Sequence, residues 1–349
     1  MHNRLFGYFH SDMAVDLGTA NTLIGRPGEG LILDEPSVVA VARQSGRILS
    51  GGCAVGHLAK QMLGRTPDTI SVVRPLRDGV ITDFEQCEAM LRYFFRKAQP
   101  TGLRRKPRVV VTVPGCITPV ERRAVFNSVE RAGARTVFLV AESRAAAIGA
   151  ALPVAEPVAS MVCDIGAGTT EVAVFSLGDM AASRSIRTGG DQMDEAIVDY
   201  LRRRYSLRVG ASAAEQLRID IGSAVPLERE TAQQVRGVDI VSSLPRSASI
   251  TSEEIRHALA EPLESILDAI KDTLDGCSPE LASDLVDRGI VLCGGGSLLR
   301  GLDRFLSEQT GLPIRTAAEP QTTVLTGALV CLENLERWRT SLRSSDDVH

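Results

Sequence analysis

Two segments of this chain, residues 13–22 and 161–170, carry the residue types of a phosphate-binding turn. Each has an Asp (Asp16, Asp164) at the end of an apolar run, then small and hydroxyl residues, then a second apolar run. Backbone N–H groups in such turns can approach phosphate oxygens closely, and a neighbouring Asp suits a hydrated Mg²⁺. We call residues 18–21 the first phosphate turn and residues 166–170 the second. Either segment alone would equally fit a strand that ends in a tight turn.

The repetition of this pattern also predicts the domain organisation. The two Asp residues are separated by about one domain length, and a chain of 349 residues is long enough for two domains. Strands and helices alternate along the sequence, as in α/β layers. We therefore expect two duplicated domains that face each other and share one anionic ligand.

A third glycine-rich turn follows a later apolar run. Residues 289–293 read as a buried strand, and they lead into Gly294, Gly295, Gly296 and Ser297. Such a turn allows close backbone approach to a flat or anionic group, although an ordinary strand-to-helix turn is the alternative. The sequence contains neither G-x-x-x-x-G-K-[ST] nor a G-x-G-x-x-G after a strand, so it gives little support to a P-loop or dinucleotide site.

Two glutamates are candidates for catalysis. Glu142 follows the apolar run of residues 136–140, and it could orient or deprotonate a water that attacks a terminal phosphate. Its alternative role is to interact with the positive N-terminus of the following helix. Glu171, directly after the second phosphate turn, is a rival for the catalytic role.

Composition excludes several other classes of protein. A net charge of −4 argues against a surface for nucleic acid. The seven cysteines include no C-x-x-C pair and the five histidines are dispersed, which predicts reduced, mostly buried thiols rather than disulfides or a zinc site. Neither a secretory signal nor a spanning helix is evident, so we expect a cytoplasmic protein.

The first eleven residues predict a short amphipathic helix. Leu5, Phe6 and Phe9 fall on one helical arc, with polar residues opposite, as in helices that lie in a membrane interface. The alternative is a disordered or core-docked N-terminus. Leu103 lies in a loop beside basic residues, a composition that could also touch anionic lipid.

Taken together, these turns resemble the superfamily of actin, heat-shock-chaperone and sugar-kinase ATPases, and within it the MreB family of bacterial actins. The resemblance extends from about Asp12 to Leu332. The segments most similar in sequence to the family are residues 16–22, 35–39, 60–67, 78–81, 120–123, 168–174, 189–191 and 279–282.

The resemblance implies an actin-like ATPase fold, with two duplicated ribonuclease-H-like domains around a central nucleotide cleft, and ATP and Mg²⁺ as ligands. Asp16 and Asp164 would hold Mg²⁺ through water, and Glu142 would position the attacking water. The residues that would bind the nucleotide are Gly18, Thr19, Ala20, Asn21, Gly166, Gly168, Thr169, Thr170, Glu215, Gln216, Leu217, Arg218, Gly294, Gly295, Gly296 and Ser297. At Arg218, which would contact ribose and adenine, the family usually has Lys.

The sequence also differs from the usual residues of the family in two other segments. Ala141 and Ser143 flank Glu142 where the family has Glu and Pro, and Ala167 replaces a Gly. We expect the first change to shift the strand exit at Glu142, and the second to strain a turn that favours positive φ. ATP binding with slow hydrolysis is the expected result.

By resemblance, the function is that of a membrane-associated filament protein that directs cell-wall synthesis and cell shape, with ATP hydrolysis as an assembly timer. Implied partners are further copies of the chain in head-to-tail, paired filaments, the inner face of the cell membrane, and membrane proteins of the MreC, MreD and RodZ types. Leu5, Phe6, Phe9 and Leu103 would supply the membrane contact. The alternatives are a soluble kinase for a small metabolite and a chaperone-type ATPase, although no peptide-binding domain follows residue 332.

These inferences give the following expected boundaries. Domain I comprises residues 12–150 and 322–338, with a small subdomain at about 34–68, and domain II comprises residues 151–321, with a small subdomain at about 187–252. Residues 1–11 are the membrane-binding segment, and residues 339–349 are a disordered tail.

Overall fold

The computed structural model describes residues 12–44, 48–49, 54–99 and 106–344. Leu5, Phe6, Phe9 and Leu103 lie outside this part of the chain, so the membrane contacts stay predictions. No helix within the described ranges is both long and apolar enough to cross a membrane. The chain forms two compact units: unit 1 comprises Met1–Leu152 and Thr322–His349, and unit 2 comprises Pro153–Gln321.

In unit 1, strands alternate with helices along the chain. Its strands are β1 Met13–Leu17, β2 Asn21–Arg26, β3 Gly30–Pro36, β4 Val39–Ala42, β5 Ile70–Val73, β6 Leu76–Arg77, β7 Val80–Ile81, β8 Arg108–Val113 and β9 Thr136–Ala141. Its helices are α1 His57–Met62, α2 Phe84–Ala98, α3 Pro119–Ala132 and α4 Glu142–Gly149.

Unit 2 repeats this alternation of strands and helices. Its strands are β10 Ser160–Ile165, β11 Thr170–Ser176, β12 Asp179–Ile186, β13 Leu207–Arg208, β14 Ala232–Asp239, β15 Pro245–Thr251, β16 Ile290–Cys293 and β17 Ile314–Thr316. Its helices are α5 Gly190–Tyr205, α6 Ala211–Ile221, α7 Ser252–Asp275, α8 Pro279–Arg288 and α9 Leu302–Thr310, with a 3₁₀ helix at Gly295–Leu298.

The chain then returns to unit 1 through α10 Thr323–Glu333 and α11 Leu335–Trp338. A 3₁₀ turn at Arg339–Ser341 and a short strand, β18 Arg343–Ser344, follow. β18 pairs antiparallel with β9, with Arg343 opposite Leu139. The predicted disordered tail is therefore wrong over residues 339–344, where backbone pairing at the edge of a sheet holds the chain.

The main sheets of the two units share one topology. Unit 1 has the order β18-β9-β8-β1-β2-β3, and unit 2 has the order β12-β11-β10-β16-β17. In each, a three-stranded antiparallel meander pairs through its first strand with a parallel strand (β1 with β8, β10 with β16), and a second parallel strand continues the sheet. This match shows the duplication at the level of the fold.

Local sequence signals account for the helix boundaries that we predicted. Thr118 caps α3 by accepting a hydrogen bond from Glu121 N, and the Glu121 side chain accepts from Thr118 N in return. Pro119 occupies the first turn and Gly133 follows the last residue. The apolar run that follows Arg108 forms β8, and Thr251 caps α7, which begins at Ser252.

Each main sheet contributes to an aliphatic core. In unit 1, β1, β8 and α2 bury residues such as Val15, Val111 and Phe94. In unit 2, β10, α5 and α7 bury residues such as Ile165, Ile197 and Ile266. Of the described cysteines, Cys87, Cys163, Cys293 and Cys331 are buried, Cys277 is half-buried and Cys116 is exposed, and all six are free.

Helices α4 and α10 of unit 1 pack at backbone distance. A Cβ added to Gly327 would lie 1.8 Å from the Ala145 carbonyl oxygen, and one added to Gly149 would lie 1.9 Å from the Thr323 carbonyl oxygen. Both obstacles are backbone atoms, which cannot move aside as a flexible side chain can. The two glycines thus allow α4, the helix that begins at Glu142, to lie directly against α10.

We predict that Gly327→Ala destabilises the protein by about 2–3 kcal/mol, because overpacking at a backbone contact outweighs the better helix propensity of Ala. Urea unfolding should show a lower midpoint. Gly276→Ala is the control, since a Cβ at this position meets nothing closer than 3.5 Å. An equal midpoint for the two variants would contradict the proposed tight crossing.

Candidate nucleotide-binding site

The first phosphate turn connects β1 and β2 as an antiparallel hairpin, with Leu17 opposite Thr22. A Cβ on Gly18 would lie 2.6 Å from the Asn21 carbonyl oxygen, so no other residue fits this turn without backbone movement. The turn therefore presents bare backbone, as close approach to a phosphate requires.

Side chains from elsewhere in unit 1 hold this turn in place. Ser37 Oγ donates to the Gly18 carbonyl oxygen at 2.7 Å and lies 2.9 Å from Thr22 Oγ1. Thr19 Oγ1 accepts a hydrogen bond from Gly79 N at 2.9 Å, which leaves its hydroxyl hydrogen available for an acceptor such as phosphate. Two separate segments of the chain, at Ser37 and at Gly79, thus hold the turn.

The side chain of Asn21 contacts the neighbouring strand, while its predicted contact with phosphate stays a prediction. Its Nδ2 donates to Asp34 Oδ1 at 3.0 Å, so this amide ties β2 to β3. Only the backbone of Asn21 and the remaining amide hydrogen are left for a ligand.

Asp16 lies at the end of β1 and is partly exposed. Thr112 Oγ1 on β8 donates to Asp16 Oδ1 at 2.6 Å. Burial raises the pKa of Asp16 to about 6, although the Thr112 hydrogen bond opposes this shift. The protein therefore holds a carboxylate in surroundings that disfavour its charge, as is common at functional sites.

The carboxyl ends of three parallel strands bring the candidate residues of unit 1 to one edge of the sheet. The register pairs Val15 of β1 with Val111 of β8, and Val113 of β8 with Ala141 of β9. Asp16 and Glu142 directly follow the paired residues Val15 and Ala141. Glu142 is 9% exposed and is the first residue of α4, a position that is compatible with both alternatives: positioning of a water and interaction with the helix N-terminus.

The second phosphate turn connects β10 and β11 in the same way. Gly166 N donates to the Thr169 carbonyl oxygen at 2.9 Å and closes the turn. Thr170 Oγ1 donates to the Thr188 carbonyl oxygen at 2.6 Å, so this hydroxyl hydrogen is directed away from a ligand. Of the predicted hydroxyl donors in this turn, Thr169 is the one that remains partly exposed.

Two carboxylates lie opposite each other beside the second turn. Asp164 on β10 pairs with Glu171 on β11, and both residues are buried. Side chains of directly opposed residues project from the same face of a sheet, where like charges repel. Carboxylate oxygens at such a position suit a divalent cation such as Mg²⁺.

Ala167 does not adopt the strained conformation that we predicted. Among the residues that the structure describes, the non-glycine residues with positive φ are Asp78, Ala151, Leu177, Ser206 and Ser243, and Ala167 is not one of them. A Gly at this position is therefore not required by φ, and the expectation of strain was wrong. The turn depends on small residues because space is limited, since a Cβ on Gly189 would lie 2.7 Å from the Ala167 carbonyl oxygen.

The triple glycine lies against the second Asp within unit 2. Gly294 has φ +77°, and a Cβ there would lie 2.6 Å from Asp164 Oδ1 and 2.3 Å from the Ile165 carbonyl oxygen. Ser297 Oγ donates to the Gly294 carbonyl oxygen at 2.7 Å, so this side chain is bonded back to the start of the turn. The structure thus brings Asp164, the second phosphate turn and the glycine-rich turn together.

The four residues of α6 that were predicted to bind the nucleotide, Glu215 to Arg218, lie in different environments. Leu217 is 1% exposed in the core of unit 2, so only its backbone is left for the predicted contact, which stays a prediction. Gln216 is exposed and donates to Asp220 Oδ1 at 2.7 Å. Arg218 donates to Asp194 Oδ1 at 2.7 Å. Burial raises the pKa of Asp194, Arg218 opposes this shift, and the charge of Glu215 adds to it.

Sequence reasoning missed the residues that hold the turns, chiefly Ser37, Gly79, Thr112 and Asp194. The first two lie in segments that resemble the family, residues 35–39 and 78–81, which could have marked them. Thr112 was visible as the one polar residue in the apolar run at residues 109–113. Nothing local marks Asp194, because its partner lies on another helix.

We predict that Asp16→Asn stabilises the ligand-free protein. The folded-state pKa of about 6 exceeds the ordinary value of 3.8, so the folded state loses stability as pH rises through this window. Without nucleotide and with EDTA present, the variant should be about 2–3 kcal/mol more stable at pH 7, and roughly half as much at pH 5. Urea unfolding at the two pH values measures this.

Asp272→Asn is the matched control for this experiment, because Asp272 is half exposed and pairs with Arg184 on the surface. We expect its effect on stability to be small. A gain for Asp16→Asn that does not depend on pH would show that burial of the carboxylate is not its cause.

Comparison with known proteins agrees with this geometry. Residues 10–340 match the family described as MreB/Mbl protein. The cell shape-determining protein MreB of Escherichia coli (strain K12) is 49% identical over 337 residues, covering 96% of this chain and 97% of the relative. The cell shape-determining protein Mbl of Bacillus subtilis (strain 168) is 43% identical over 329 residues, covering 94% and 98%.

Solved structures give the same result for the fold. MreB5 of Spiroplasma citri bound to AMPPNP superposes with a TM-score of 0.88 at 34% identity, covering 94% of this chain and 97% of that chain. The MamK double helical filament has a TM-score of 0.77 at 21% identity, covering 92% and 99%, which shows a shared fold. The duplicated α/β units thus form an actin-like ATPase fold, and the chain belongs to the MreB/Mbl family.

Proposed function

We propose that this protein is an actin-like cytoskeletal ATPase that polymerises into filaments and determines cell shape, with slow ATP hydrolysis as the timer of assembly. The observation that carries the proposal is the matched pair of phosphate turns, each preceded by an Asp at the end of a parallel strand. Membership of the MreB/Mbl family supports this role over that of a small-metabolite kinase.

Nucleotide binding is supported by both the turns and the relatives. The Spiroplasma citri protein, 34% identical to this chain, has been solved with AMPPNP and with ADP. In this chain, the first and second phosphate turns would bind the phosphates, and Gly294–Ser297 would lie along the adenosine. At Gly18 and Gly294 a Cβ would clash with carbonyl oxygens of the protein itself, so each turn presents bare backbone there.

Mg²⁺ fits the acidic residues at the turns. Asp16 and Asp164 end equivalent strands, and each would hold the ion through water, since Mg²⁺ keeps several of its waters. The bound ion would neutralise charge on the phosphates. It would also favour the ionised form of Asp16, whose charge burial disfavours.

Glu142 is our candidate for positioning the attacking water. It lies at the same sheet edge as Asp16, at the start of a helix whose N-terminus favours the carboxylate form. Glu171 lies directly opposite Asp164, where it would act mainly on the metal. We therefore assign water positioning to Glu142 and an electrostatic role to Glu171.

We predict that Asp16→Ala abolishes Mg-ATP binding, whereas Glu142→Ala binds ATP with wild-type affinity and hydrolyses it at least tenfold more slowly. Binding is measured with a fluorescent ATP analogue, and hydrolysis by phosphate release in single-turnover experiments. Glu121→Ala, at the cap of α3, controls for the loss of a glutamate outside the site. Equal turnover in wild type and Glu142→Ala would remove Glu142 from the mechanism.

Membrane association is a further part of the proposal. Asp12 and Arg108 begin neighbouring parallel strands, and Arg108 Nη2 lies 2.6 Å from Asp12 Oδ2. The segments that precede them are residues 1–11, with Leu5, Phe6 and Phe9, and the loop with Leu103. Both therefore enter unit 1 at the same sheet edge, where they would contact one membrane surface.

A filament would strengthen this contact. One short amphipathic helix binds a bilayer weakly, whereas a polymer presents many such helices at once. We propose that the filaments lie on the inner face of the cell membrane, with membrane proteins of the MreC, MreD and RodZ types as partners. Head-to-tail contacts that do not close into a ring would generate such filaments.

Electron microscopy of the purified chain on an anionic lipid monolayer tests this function. We expect paired filaments on the lipid with Mg-ATP, and dispersed particles without nucleotide. A chain that starts at Asp12 should still polymerise with Mg-ATP but bind the monolayer less. Dispersed particles with Mg-ATP, at concentrations well above cellular levels, would contradict polymerisation of the chain alone.

A further inference from the structure

A nearly buried ion pair joins α5 and α6 in unit 2. Arg218 Nε donates to Asp194 Oδ1 at 2.7 Å, and Arg218 Nη2 donates to Asp194 Oδ2 at 3.3 Å. The two side chains are only 14% and 11% exposed. This fork of two parallel bonds fixes the orientation of the guanidinium as well as its distance.

The same guanidinium lies against the first turn of α5. A Cβ on Gly190 would be 3.3 Å from Arg218 Nη2 and 3.7 Å from Ala167 Cα. The missing side chain of Gly190 therefore leaves its backbone close to both Arg218 and the second phosphate turn. Asp194 lies one turn further along α5, so the ion pair fastens this end of the helix to α6.

The first turn of α5 is in turn hydrogen-bonded to the second phosphate turn. Gly190 N donates to the Gly166 carbonyl oxygen at 3.0 Å, and Asp191 N donates to the Ala167 carbonyl oxygen at 2.8 Å. Because a trans peptide is planar, its N–H points away from its C=O. Holding these two carbonyls toward α5 thus directs the N–H groups of Ala167 and Gly168 away from it.

These two N–H groups are the donors that a phosphate would meet at the turn. Their direction depends on the position of α5, and α5 is fastened by the ion pair. Arg218 therefore has a role in orienting the second phosphate turn, which differs from its predicted contact with ribose and adenine. With its guanidinium engaged by Asp194, it acts on the nucleotide through the backbone of another segment.

We propose that Arg218 and Asp194 are positioning residues that set the affinity of the second phosphate turn for the phosphates of ATP and ADP. The proposal rests on the ATP binding proposed above. It assigns to the pair selectivity for a nucleoside di- or triphosphate over the unphosphorylated nucleoside. Loss of either partner would leave the other charge nearly buried and unpaired, and α5 would shift.

The test compares the affinities of Mg-ATP, Mg-ADP and adenosine, each measured by competition with a fluorescent ATP analogue. The variants are Asp194→Asn and Arg218→Lys, which keep the size or the charge but lose the two-bond fork. We expect ATP and ADP to bind about tenfold more weakly, and adenosine to bind within twofold of wild type. Asp272→Asn, which breaks an exposed ion pair with Arg184 in the same unit, should change none of the three.

Gly190→Ala is a second, milder variant, since Ala suits a first helical turn and this Gly has no positive φ. Its methyl group would displace the guanidinium by a few tenths of an ångström, and the same selective loss should follow at a smaller size. It keeps the test available if Asp194→Asn does not fold.

Two outcomes would overturn the proposal. An equal loss for all three ligands would mean that Arg218 contacts the nucleoside directly, and unchanged affinities would mean that the ion pair is purely structural. If the wild-type protein binds no ATP, the proposed function itself fails, and this result is distinct from both.

Discussion

The protein depends on one constraint: backbone N–H groups can bind phosphate only where the turn that carries them is bare and held still. At Gly18, the carbonyl oxygen of Asn21 occupies the space of a side chain. Ser37 and Gly79 then hold the first turn through hydrogen bonds. The long strands and buried helices around these turns supply the rigidity that a flexible glycine loop would lack.

The two units meet this constraint by different means. In unit 1, Ser37 and Gly79 hold the turn through side-chain and backbone bonds, including Ser37 N to the Ala20 carbonyl oxygen at 2.8 Å, whereas in unit 2 the backbone of α5 holds it through Gly190 and Asp191. The sheets have the same topology, so duplication preserved the positions of the strand ends and not the contacts around them. This difference makes unit 2 sensitive to any change that moves α5, and Arg218 is placed to control that movement.

Burial of an acidic residue at the candidate site lowers the stability of the folded protein. Asp16 lies where burial raises its pKa to about 6, and Asp164 lies opposite Glu171 on the neighbouring strand. Burial of the Asp16 charge disfavours the folded state of the protein without ligands. The Mg²⁺ that we propose at this site would offset this cost, and ligand binding and folding stability would then be coupled at Asp16.

The sequence by itself determined the elements and the positions of the turns, because strand periodicity, helix caps and glycine-rich turns are local properties. It also indicated the family, through many short motifs in register. Only the tertiary structure decided what several side chains contact: Arg218 pairs with Asp194, Leu217 is buried, Asn21 binds Asp34, and residues 339–344 join a sheet edge. Likewise, Ala167 lacks the positive φ that the family's Gly at this position suggested. These contacts join residues far apart in the chain, and packing, which no local pattern encodes, brings them together.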